Sequence, residues 1–146
     1  MENDNQIKKM ILSSKKAAAG DIQEIKNAEV ITKDLFFEKM RSYVLHKFLL
    51  TEESCGYSDD FNELAEISLS NSMKISKELV KEFDLAKSCD GGTSVMAKKV
   101  LLFLAIQREF DIVIPAMESA STKSLNGIIE LIWNEVKKGP YAVRIA

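Results

Sequence analysis

A chain of 146 residues is long enough for one domain with a substantial core and too short for two of ordinary size. Hydrophobic residues make up 46% and charged residues 29%, with Lys+Arg 20 against Asp+Glu 22, a balance that excludes a disordered chain and offers no basic surplus for nucleic acid. The longest apolar run, VLLFLAI at 100–106, falls well short of the roughly 20 residues a membrane span needs, and MENDNQIKKMILSS has no signal-peptide pattern, so a cytoplasmic protein with no membrane span is expected.

The first 33 residues contain an amphipathic pattern around Gln6–Ala19, which Gly20 and Asp21 interrupt. This predicts a loosely attached N-terminal helical extension over 1–33. A stronger pattern follows in DLFFEKMRSYVLHKFLL. Asp34 is a suitable N-cap, and Phe36, Met40, Tyr43, Val44 and Phe48 recur at helical spacing. EESCGYSDD (52–60) reads as a loop. Asp60 with Glu63 resembles a capping box that opens a further helix. That helix runs over 61–87, either unbroken or with a break near Asn71, because Ser and Asn in SLSNS compete for the backbone.

After CDGG the helical period returns at Val95, Met96, Val100, Phe103, Leu104 and Phe110. DIVIP then changes character: β-branched residues ahead of Pro115 require extended backbone at Ile114. Leu125, Ile128, Ile129, Ile132, Trp133 and Val136 form one apolar stripe, which defines the last helix. Lys137 and Lys138 suit its C-terminal end, and Gly139 with Pro140 stops it. The expectation is an all-α bundle of four to five helices over 34–138, with a tail at 139–146.

Little in the chain suggests catalysis. His46 has no Cys, Asp or Glu at metal-ligand spacing on its helix face, and reads as a partly exposed helix residue. Cys55 and Cys89 lack CxxC partners, so no metal site is expected and both read as reduced thiols. Ser94 has no base nearby in sequence. The turn Gly91-Gly92-Thr93-Ser94 allows close backbone approach and ends at the free N–H groups of a helix start, which attract anions. It lacks the lysine of a P-loop. Locally, the simpler reading is that the glycines end one helix while Thr93 or Ser94 caps the next.

From Gly91 to about Ile132 the order of features resembles the acyl and peptidyl carrier proteins. A glycine-containing turn ends in Ser94, a long helix ends in IQREFDIVIP (106–115), and the linker AMESASTK leads to SLNGIIELI (124–132). The resemblance implies a carrier-like C-terminal half in which the 34–50 helix is the first helix and 51–93 an enlarged loop. It also implies a non-enzymatic function. Ser94 would bear 4′-phosphopantetheine, whose thiol holds an acyl or aminoacyl group as a thioester. The implied partners are a phosphopantetheinyl transferase and acyl- or aminoacyl-handling enzymes, meeting a surface around Val95, Met96, Val113 and Ile114. If the Phe110 end is held in register instead, Met96 falls at the serine position. The protein is then an unmodified carrier-like interaction or regulatory module.

Overall fold

The computed structural model describes residues 2–79 and 94–146, with side chains over 6–71 and 94–146. Six helices occupy these residues: α1 (Glu2–Asn27), α2 (Lys33–Lys47), α3 (Phe61–Leu79), α4 (Val95–Phe110), α5 (Ala116–Ser121) and α6 (Leu125–Val136). The fold is an all-α bundle. Cys89 and the Gly91–Thr93 turn lie outside the described residues.

α1 departs from the expectation of a loose, interrupted extension. It runs unbroken through Gly20 and Asp21, and it buries Ile11, Ala18, Ile22 and Ile25. Ala18, Ile22 and Ile25 belong to the same core cluster as the buried residues of α2, α4 and α6. A glycine inside a helix costs about 0.5–1 kcal/mol. Burying one isoleucine contributes about 1.5–3 kcal/mol, so the tertiary contacts outweigh the local interruption.

α2 buries Phe36, Met40, Tyr43 and Val44 as its spacing predicts, and Phe48 follows them at the C-cap. Its N-cap is Thr32 rather than Asp34: extended backbone at Thr32 lets Oγ1 accept from the Leu35 N–H at 3.2 Å. Asp34 stands in the first turn, where a negative charge complements the helix dipole.

α3 begins at the expected cap, with Asp60 Oδ1 accepting from the Glu63 N–H at 3.1 Å. A hydroxyl is inserted in the return half of the box. Ser58 Oγ accepts from the Asp60 N–H at 3.1 Å and donates to Glu63 Oε2 at 3.0 Å. The helix continues through Asn71. Part of the reason is Ser68, a buried residue that donates its hydroxyl to the Phe48 carbonyl at 2.8 Å instead of disturbing its own helix.

α4 ends where Asp111 adopts the left-handed conformation (φ 53°, ψ 55°). The extended segment that follows is fastened back onto the helix by Gln107, whose Oε1 accepts from the Ile114 N–H at 2.8 Å. α5 then forms inside the linker AMESASTK, one short helix beyond the number expected. α6 buries its whole predicted stripe, Leu125, Ile128, Ile129, Ile132, Trp133 and Val136. Ser124 caps it by accepting from the Gly127 N–H at 3.0 Å. The chain passes so near this turn that a Cβ on Gly127 would lie 2.5 Å from the Thr122 methyl.

Two short backbone pairings close the bundle. Asp60 bridges Ser124, with Phe61 N–H donating to Lys123 O at 2.9 Å and Leu125 N–H to Asp59 O at 2.7 Å. This joins the starts of α3 and α6. Ile31 bridges Ile145 in parallel, its N–H donating to Arg144 O at 2.7 Å.

The burial of α1 gives a direct check. Ile22→Ala should lower the unfolding free energy by about 2–5 kcal/mol within one cooperative transition. Urea denaturation followed by far-UV circular dichroism measures it, and a loosely attached helix would give almost no loss.

Candidate functional site

Ser94 stands exposed at the N-cap of α4 in extended backbone (φ −148°, ψ 162°). Its Oγ accepts from the Ala97 N–H at 3.0 Å. The hydroxyl proton remains available, because the cap uses only an oxygen lone pair. No acidic residue occupies the first turn of α4, so the positive end of this helix is not neutralised by its own side chains.

Which face of α4 turns outward decides what lies beside Ser94. The helix buries Lys98, Leu102, Ile106 and Phe110, four residues apart. It leaves Met96, Val100 and Leu104 exposed. In sequence these three belong to the same helical period as the buried Phe110, and only Met96 is expected on an outer surface. The run VLLFLAI is apolar almost all round, so its period does not distinguish the buried face from the open one.

The exposed face forms one wall of a groove against α5. Met96, Val100, Phe103 and Leu104 meet Ile114 and Ala116 around a cavity of about 290 Å³. Of the residues implied as a partner surface, Met96 is 66% exposed and Val113 77%. Val95 is half-buried against the core. Ile114 is 5% exposed and faces inward, fixed there by the Gln107 hydrogen bond. Met117 on α5 adds a further exposed apolar side chain that sequence reasoning did not single out.

The two lysines after Ser94 do not form a free basic patch. Lys98 is 2% exposed. Lys99 donates to Asn62 Oδ1 of α3 at 2.9 Å and lies 5.4 Å from the centre of the Phe61 ring.

A second cavity, of about 550 Å³, opens between α1 and α2 and the loop after α2. His46 stands in its wall, half-buried as expected, but with a partner that sequence spacing could not supply. Its Nδ1 lies 2.7 Å from Oδ2 of Asp21, a nearly buried carboxylate on α1. Ser42 Oγ donates to the same oxygen at 2.9 Å. This is not a nucleophile–base–orienter relay. The serine is bonded to the carboxylate and stands 3.4 Å from Nδ1, the ring nitrogen already engaged.

Arg41, in the same wall, holds Glu52 through two hydrogen bonds of 2.9 and 2.7 Å and donates also to Ser58 O at 2.9 Å. Those hydrogen bonds hold the Glu52 carboxyl below the ordinary glutamate range and raise the Arg41 guanidinium. Among the described residues, no group of three or more His, Cys, Asp or Glu is gathered to hold a metal ion. No described helix is long and apolar enough to cross a membrane. No family model, curated protein or solved structure matches the chain.

Two outcomes test these local assignments. Ser94→Ala should destabilise the protein by about 1 kcal/mol, whereas Ser94→Asn, which keeps a capping oxygen, should change stability by only a few tenths; thermal unfolding compares them. The Arg41–Glu52 pair is partly exposed, so it stabilises by less than about 1 kcal/mol at neutral pH. Because the folded-state pKa of Glu52 is lowered, that contribution is present above the ordinary glutamate value of about 4.3 and is lost as pH falls through the lower folded value. The stability difference between wild type and Glu52→Gln, followed by urea titration at decreasing pH, should vanish there.

Proposed function

We propose that this protein is a non-catalytic carrier, modified on Ser94 with 4′-phosphopantetheine and presenting an acyl or aminoacyl thioester to partner enzymes in the cytoplasm. The observation that carries the reading is the exposed hydroxyl of Ser94 at the α4 N-terminus, with the apolar α4–α5 groove starting half a turn away at Met96. A phosphodiester on that oxygen puts negative charge at the positive end of a helix whose first turn holds no acid, a favourable placement. The groove offers the cargo shelter: each methylene buried there contributes about 0.8 kcal/mol. Met96 and Val113, with Val95 at the rim, form the surface that a phosphopantetheinyl transferase and acyl- or aminoacyl-handling enzymes meet.

A second reading takes the same surface without the arm. The exposure of Met96, Val113 and Met117 suits an unmodified carrier-like interaction or regulatory module, since large apolar side chains left open in a cluster mark contact sites.

Co-expression with a broad-specificity phosphopantetheinyl transferase, followed by intact-mass measurement, separates the two. The carrier should gain the mass of one phosphopantetheine, and the gain should disappear in Ser94→Asn, which retains the helix cap. An unchanged wild-type mass with several transferases would overturn the carrier reading and leave the unmodified module.

A further inference from the structure

The α4–α5 face has a shape that can fit a copy of itself. Met96, Val100 and Leu104 stand exposed four residues apart on α4 and so form one ridge along the helix. The groove against α5 runs beside this ridge, walled on its other side by Ala116 and Ala120. Met117, next to Ala116 in α5, is 84% exposed. Convex and concave apolar surfaces therefore adjoin one another.

The polar side chains of the lining are engaged within the molecule. Lys99 donates to Asn62 Oδ1, Gln107 Oε1 accepts from the Ile114 N–H, and Ser119 donates to the Ala116 carbonyl at 3.1 Å. What the groove leaves to a neighbour is mainly methionine, valine, leucine and alanine surface. Residues 96–121 hold three Lys or Arg and three Asp or Glu. That balance gives a strongly charged partner no complementary field, and it spares two identical faces from repelling each other.

The size of the patch is also that of an interface. The exposed surface of Met96, Val100, Leu104 and Met117 is on the order of 500 Å², high in the range for the largest apolar patch on a monomer. Interfaces are about 60% apolar. A contact covering this patch with a polar margin therefore buries about 800 Å² per protomer, the amount in a stable complex of standard size.

From these features we infer that the α4–α5 face is the interface of a homodimer, occupied by a second copy of this chain. The ridge is of the i±4n kind, and two such ridges interdigitate when their helices cross at about −50°. In a two-fold contact one patch serves both copies. Val100, in the middle of the ridge, then meets its own copy, while Met96 meets Leu104 of the second copy. The inference rests on the reading of this face as a contact surface and names its partner. It does not require modification of Ser94, and a dimer and a sheltered cargo would be alternative occupants of the groove.

Sedimentation velocity of the full chain across a wide concentration range tests the dimer. The wild type should pass from monomer to dimer as concentration rises. Val100→Glu and Val100→Lys, at a position 44% exposed, each set like charges face to face across the axis. Each should weaken association by at least about tenfold. An equimolar mixture of the two variants should regain the dimer, which a folding defect in either would prevent. A wild type that stays monomeric, association unchanged in either variant, or a mixture as weak as its components would each overturn the proposal. If the wild type is monomeric, fluorescence of anilinonaphthalene sulfonate reports on the underlying reading. Dye binding that is lost in Val100→Glu leaves the face a contact surface for a different partner, and absence of dye binding removes that reading as well.

Discussion

The ring of Phe36 is the joint on which the bundle turns. It is fully buried and meets Phe110 of α4 at 5.7 Å and Trp133 of α6 at 5.0 Å between ring centres. Phe110 in turn meets Tyr141 edge-on at 6.0 Å. Tilted and edge-to-face aromatic pairs add about 0.5–1.5 kcal/mol each beyond their burial. They also have a defined geometry, so three helices are fixed in rotation as well as in position. Once Phe110 points at Phe36, the buried row of α4 must be Lys98, Leu102, Ile106 and Phe110. Met96, Val100 and Leu104 are then obliged to face outward. The open groove beside Ser94 is therefore a by-product of how the core is keyed.

That dependence explains which parts of the structure could be read in advance. α6 carries one apolar stripe, and every residue of it is buried; the predicted residues of α2 are buried too, beside Leu45, which the spacing did not select. α4 has apolar residues on nearly all sides, and only a partner ring selects its inner face. α1 is broken locally by Gly20 and repaired by packing that no local rule sees. α5 is a single short helix in a linker, too brief for periodicity to register. At the site, Ser94 was legible as a cap because capping is a local interaction. The inward turn of Ile114 was not, since it depends on the Gln107 side chain seven residues earlier. The His46–Asp21 pair joins two helices across 25 residues of sequence, and no spacing rule within one helix could reveal it.

The α4–α5 groove and the α1–α2 cavity lie on different helices. The groove on α4 and α5 is mainly apolar, and the cavity on α1 and α2 has a mixed lining in which Arg41, Glu52 and His46 stand beside leucines. They have no lining residue in common.

The pairing of Ile31 with Ile145 has a consequence for the order of assembly. α1 and α2 are neighbours in sequence, and their contact closes only a short connection. The bridge at Ile31 joins backbone separated by most of the chain and is supported by only a few hydrogen bonds, including one from Arg144 to the Lys26 carbonyl. Loop-closure entropy rises with the length enclosed, and pairings of such separation are favourable only after nearer contacts have shortened the effective loop. The seam thus forms after the nearer α1–α2 contact in folding. The Ile31 amide, which donates across it, reports the opening of that seam by hydrogen exchange.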